Sequence, residues 1–219
     1  LGLLDKLAGL VAPGGALVLT TVSPIGFVPN LLRRFLVPRL VDANLDFEAR
    51  SRVLEAAFAP HLRSLAAMTR SARDWVQDNM LNPAYFGLCL SIPAVVERLG
   101  ADFDVLGASP AFAEDWRWFK SLAGAERRIN AHFLDEYWRK AHNYLDHREA
   151  AFAGDAGCSR GLEQAGRELL AAIEMHEDAQ GGGDVPAAAQ RVRACLERFI
   201  QAVPAPLSAA ADGLREFAE

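Results

Sequence analysis

The short stretch Pro13-Gly14-Gly15 constrains the start of this chain more than any other feature, because hydrophobic periodicity changes across it. Before it, Leu3, Leu4, Leu7, Leu10 and Val11 recur at helical spacing and predict an amphipathic helix over residues 1–11. After it, Ala16 to Val22 is a short apolar run rich in leucine and β-branched residues. Such a run suits a strand buried on both faces, as in a parallel sheet. Proline stops a helix, and glycines take backbone angles that other residues resist, so the chain can reverse within a few residues. The expected fold class is therefore α/β.

Farther along, helical signals dominate. Phe27 to Val41 predicts a short helix with irregular flanks, because Pro29 and Pro38 interrupt it. Residues 47–57 and 61–80 predict two more helices, and Asn82-Pro83 is a stop signal. Ser91 is placed to cap a helix over residues 92–99, with Pro93 in its first turn and Gly100 at its end. Phe103 to Gly107 predicts a second strand and Trp116 to Leu122 a third. Beyond Gly124 the pattern is helical: one long helix over residues 125–152, one capped by Ser159, one after the Gly181-Gly182-Gly183 break, and a last short one bearing Leu214 and Phe217.

Of the 219 residues 51% are hydrophobic, enough for a real core, and the net charge is -5. A mildly acidic chain does not attract phosphate backbones or anionic lipid, so neither nucleic acid nor membrane is an expected partner. Asp5, Lys6 and the Pro-Gly-Gly turn break the apolar start well short of the roughly 20 residues that span a bilayer. Cys89, Cys158 and Cys195 are odd in number and far apart, which predicts reduced thiols in the cytoplasm and no zinc site.

The passage Leu7-Ala8-Gly9-Leu10-Val11-Ala12-Pro13-Gly14-Gly15-Ala16-Leu17-Val18-Leu19-Thr20-Thr21 resembles the link from the fourth to the fifth strand of class I S-adenosylmethionine-dependent methyltransferases. Ser91-Ile92-Pro93, Leu106-Gly107-Ala108-Ser109-Pro110 and Asp115-Trp116-Arg117-Trp118-Phe119-Lys120 look like the closing helix and strands of a bacterial subgroup of that family. The resemblance covers residues 1–122, with residues 25–90 as a helical insertion, and implies the C-terminal part of a Rossmann-like sheet. Residues 123–219 form an added, mostly helical module without a counterpart. No glycine-rich loop follows a strand, and no acidic residue is placed to hold a ribose. The chain begins with Leu1, as a C-terminal part would, and the cofactor S-adenosylmethionine is expected only in a longer protein. The expected function is methyl transfer to a small-molecule or glycan-precursor acceptor, absent from this chain alone. The alternative is a non-catalytic helical interaction or assembly module, and a homo-oligomer fits either.

Candidate acceptor-binding residues follow from this placement. Thr20, Thr21 and Ser23 lie at the carboxyl end of the first expected strand, where open α/β sheets hold ligands, although hydroxyls there also cap turns. Asp115, Arg117 and Lys120 could orient an anionic acceptor or lock the last hairpin. Arg33, Arg34 and Arg39, with Arg63, Arg70 and Arg73, give the insertion a basic tendency. His142 and Asp146 have the spacing of a helix-face pair, whereas His142 and His147 diverge and do not chelate a metal. No general base is legible.

Overall fold

The structure, a computed structural model, describes residues 2–63, 69–82, 90–113, 128–146, 151–179 and 182–217. Among these residues there are helices and no β-strand, so the fold is all-α and the expected Rossmann-like sheet is not formed. The order is α1 (Gly2–Ala8), α2 (Pro24–Leu40), α3 (Phe47–Arg63), α4 (Ala72–Val76) running into a π turn (Gln77–Leu81), and α5 (Ile92–Leu99). Then come α6 (Ile129–Lys140), a 3₁₀ turn (Ala141–Tyr144), α7 (Ala156–Ala179), α8 (Val185–Ala202), a 3₁₀ turn (Ala205–Leu207) and α9 (Ser208–Arg215).

The two expected strands fail for different reasons. Residues 16–21 make no hydrogen bond within the described chain, and only Val22 donates, to the Leu90 carbonyl at 3.2 Å. A strand exists only in a ladder, and no described segment runs beside this one. Its apolar side chains find no core, with Val18 91% exposed and Leu17 and Leu19 only half-buried. At residues 103–107 a side chain intervenes. Asn130 of α6 donates from Nδ2 to the Phe103 carbonyl and accepts from Val105 N–H at Oδ1, both at 2.8 Å. One amide thus occupies two backbone groups that a ladder would have used. The expected strand at residues 116–122 lies outside the described residues.

The centre of the fold is the antiparallel pair α7 and α8, on which α2 and α6 pack. Leu162, Leu169 and Ile173 of α7 face Val192, Leu196 and Phe199 of α8, all buried. The first turns of α2 add Ile25, Val28, Leu31 and Leu32, and α6 adds Phe133, Tyr137 and Trp138. Gly166 permits the close approach of α2 to α7: a Cβ there would lie 3.1 Å from the Pro24 carbonyl oxygen. A second core gathers Val37 and Val41 with Leu54, Phe58, Leu62, Val76 and Met80 of α3, α4 and the π turn. Helix α2 therefore serves both cores.

Several element boundaries depart from the expected ones for local reasons. Helix α2 is one 17-residue helix and not a short one. Pro24 sits in its first turn, where a missing N–H costs nothing, and Ser23 caps it. The long helix expected over residues 125–152 runs only to Lys140 before the 3₁₀ turn. Asn143 ends it: Nδ2 donates to the carbonyls of Lys140 at 2.9 Å and Phe152 at 2.7 Å, and Oδ1 accepts from Phe152 N–H at 3.2 Å. A short amide competes with the helix ladder in this way. Ser159 does not cap α7 but is buried inside it, and Asp155 Oδ1 takes the capping contact from Cys158 N–H at 3.1 Å.

Candidate functional site

A groove of about 570 Å³, within the range of ligand sites, lies between α2, α8 and the segment after α9. Small-molecule sites commonly span roughly 300–1,000 Å³. Its walls are Leu32, Phe35 and Leu36 of α2, Val192 and Leu196 of α8, and Phe217. The helical repeat that buries Leu31 and Leu32 in the core turns Phe35, Leu36 and Arg39 toward α8. Arg39, Arg193 and Gln190 supply the polar rim. Arg39 is held in place: its guanidinium carbon lies 4.2 Å from the Phe35 ring centroid, and Nη1 donates to the Phe35 carbonyl at 3.1 Å.

Of the other arginines singled out from the sequence, Arg33 and Arg34 are buried and structural. Arg33 donates from Nη1 to Asn30 Oδ1 at 2.9 Å, approaches His61 Nε2 at 2.5 Å and lies 5.4 Å from the Trp75 ring centroid. Arginine has no lone pair to offer, so this contact requires the Nε2 of His61 to be the acceptor. Burial lowers the Arg33 pKa to about 10. Arg34 donates to the carbonyls of Asn79, at 2.8 Å, and Asn82. Arg70 pairs with Asp78 and Arg73 with Glu48 on the surface. Ser23 caps α2, accepting from Gly26 N–H at 3.5 Å, and also meets the Tyr137 hydroxyl, and Thr21 lies half-buried in the segment before it. Asp115, Arg117 and Lys120 lie outside the described residues. The structure thus does not bring Thr21, Ser23, Arg33 and Arg34 together as one acceptor site.

The histidines are placed in ways that spacing did not show. His142 does not meet Asp146 as a helix-face pair. Its Nδ1 lies 2.9 Å from Ser159 Oγ, and its backbone N–H donates to the same oxygen at 3.2 Å. Its Nε2 is buried without a hydrogen-bond partner, and its ring lies 4.3 Å from that of Phe152. His176 on α7 meets Phe35 edge-on at 5.0 Å, and both its ring nitrogens are buried without partners. Among the described residues no three His, Cys, Asp or Glu side chains converge as metal ligands.

Both imidazoles have pKa values below the ordinary 6.5. Burial is the main cause in each; the Phe152 backbone opposes it at His142, and the Arg39 charge adds to it at His176. A base whose folded pKa is lowered is protonated first in the unfolded chain. Its contribution to stability is complete above about pH 6.5 and is lost as pH falls below it. The melting temperature should therefore drop between about pH 8 and about pH 5, and His176→Leu should flatten that drop. The same substitution should add about 1–3 kcal/mol at neutral pH by removing two unsatisfied nitrogens. A His176→Leu variant as acid-sensitive as the parent would show that this ring is not a source of the dependence.

A partly buried polar chain links the start of α5 with α6 and α7 beside the main core. Arg167 Nη2 donates to Ser91 Oγ at 2.9 Å and to Glu163 Oε1 at 2.8 Å, and Tyr137 OH donates to Glu163 Oε2 at 3.3 Å. Burial and the nearby Glu163 charge hold the Tyr137 phenol far above its usual range, so it acts as a neutral donor and not as a base. Comparison with protein-family models, with curated proteins and with solved structures yields no match. No helix among the described residues is long and apolar enough to cross a membrane.

Proposed function

We propose that this chain is the helical, acceptor-side part of a cytoplasmic S-adenosylmethionine-dependent methyltransferase that acts on a small-molecule or glycan-precursor acceptor. The observation that carries this reading is the segment at residues 16–21. It is apolar, it exposes Val18, and none of its backbone groups is hydrogen-bonded within the described chain. A segment of that composition is stable when a partner covers its side chains. It stands in the stretch whose order of helix, Pro-Gly-Gly turn and apolar run resembles the approach to the fifth strand of those enzymes. This chain has no glycine-rich loop to seat a cofactor, so on this reading another part of the enzyme binds S-adenosylmethionine.

Calorimetry tests the reading. The chain alone should bind no S-adenosylmethionine, and the chain joined to the coding sequence upstream of Leu1 in its gene should bind it with a micromolar dissociation constant. Tight binding by the chain alone, or none by the longer protein, would refute the proposal. The second reading, a non-catalytic assembly module, is favoured by the exposure of Leu3, Leu10 and Leu106 together with Val18. Light scattering separates the two. Association of the chain alone that disappears in the longer protein supports the enzyme, and association that persists supports the module.

A further inference from the structure

The far end of the α7–α8 pair carries a single buried side chain. Past Ile173, His176 is the only buried residue of α7, and α8 has none before Val192. The last turns of α7, residues 174–179, and the first turns of α8, residues 185–191, thus lie beyond the main core. His176 meets Phe35 of α2 edge-on at 5.0 Å, and neither of its ring nitrogens has a hydrogen-bond partner among the described residues. A neutral imidazole bears such a position at modest cost, whereas an imidazolium there is a buried charge without a partner. Arg39 of α2 makes the position worse for a cation, because its charge acts on the ring while its guanidinium stacks on Phe35 at 4.2 Å. The other charged groups at this end are Arg34 of α2, which acts on Glu177, Arg191 and Arg193 of α8, and Glu174, Glu177 and Asp178 of α7. None of these carboxylates hydrogen-bonds to a nitrogen of His176.

We infer that His176 is an acid-sensitive latch: protonation of its ring releases the last turns of α7 and the first turns of α8 from α2, while the core from Leu162 to Ile173 stays closed. Once the ring leaves, no other buried side chain holds those turns, and short helical ends without packing fray. Ala189 and Gln190 stand on the released part of α8 and line the groove, so release also opens one of its walls. The direction follows from linkage. A freed ring takes up its proton near the ordinary 6.5, and the buried ring only at lower pH, so acid favours the released state. The latch is closed above about pH 6.5, and each unit below it raises the open fraction by up to about tenfold until the buried ring itself titrates. The device rests on packing alone and is independent of the methyltransferase reading.

Hydrogen exchange read by mass spectrometry between about pH 8 and about pH 5, corrected for the intrinsic rate at each pH, tests this on the chain as it exists. Amides 175–179 and 189–191 should lose about fivefold or more of their protection below about pH 6.5, while amides 162–173 keep theirs. His176→Leu and His176→Met should each hold the two ends protected at about pH 5, with any acid response around His142 left in place. Protection at amides 162–173 reports that a variant is folded. A loss of protection spread evenly along α7, or no loss at its end, would overturn the inference. So would a folded variant whose α7 end opens in acid as the parent does.

Discussion

Phe199→Ala is expected to lower the unfolding free energy by about 3–5 kcal/mol, the usual cost of deleting a fully buried aromatic ring. Phe199 is fully buried at the seam where α8 meets α7. Its ring lies 3.4 Å from where a Cβ on Gly166 would stand, and Gly166 is also where the start of α2 touches α7. Removal of the ring therefore opens a void shared by three helices. The backbones of α2 and α7 already meet at Gly166, so these two helices have little freedom to close it. Against a total of about 5–15 kcal/mol for an ordinary domain, the loss is a large fraction. Urea unfolding followed by far-ultraviolet circular dichroism should show a lower midpoint with the slope unchanged. Val185→Ala, at the exposed start of the same helix, should shift the free energy by less than about 0.5 kcal/mol. Similar midpoints for the two variants would mean that the α7–α8 seam is not the main source of stability.

The helices were legible because each signal was local. The Ile92–Leu99 helix falls between Ser91 and Gly100, although the Ser91 hydroxyl makes no capping hydrogen bond and accepts instead from Arg167, and the Asn82 stop acts through neighbouring backbone groups. The sheet was misread because strand formation is not local. Ala16 to Val22 has the composition of a buried strand, but composition supplies no ladder, and the described chain offers none. The same limit applied to single side chains. Asn130 and Asn143 look like ordinary helix-surface amides in the sequence, yet each reaches a backbone distant along the chain and decides what that backbone becomes. The basic tendency of α2 was legible, whereas the division of its arginines was not. Helical phase places Arg33 and Arg34 inward and leaves Arg39 at the groove, and that phase depends on which face packs on α7. The groove itself had no signature, since Leu36, Leu196 and Phe217 are far apart in the sequence and meet only after packing.

The two adjacent arginines should respond to very different extents to the same substitution. Arg34 binds the carbonyls of Asn79 and Asn82, at the π turn and just beyond it, and so joins α2 to the second core. Its charge also acts on Glu177 of α7, lowering a carboxyl pKa that burial raises. Arg34→Met keeps the hydrocarbon stem but removes two charge-assisted hydrogen bonds. Such bonds contribute about 1.5–3 kcal/mol each, and part of the loss is recovered if water reaches the freed carbonyls. A net cost of about 3 kcal/mol is expected. Arg33 is equally buried, and the Nε of each arginine is buried without a hydrogen bond, but Arg33 binds the side chains of Asn30 and His61, which can reorient once it is gone, whereas the carbonyls bound by Arg34 are fixed in the backbone. The lowered pKa of Arg33 records the cost of keeping that charge away from water. Replacing a buried ion by an apolar side chain of similar volume is often neutral or stabilising, so Arg33→Met should fall within about 1 kcal/mol of the parent. Chemical denaturation ranks the two, and Trp75, packed against the second core and stacked with Arg33, provides a local fluorescence signal. Hydrogen exchange at Gln77–Leu81 should accelerate strongly in Arg34→Met and little in Arg33→Met. Equal destabilisation by the two substitutions would mean that the second core is held by the burial of α2 as a whole and not by the Arg34 clasp.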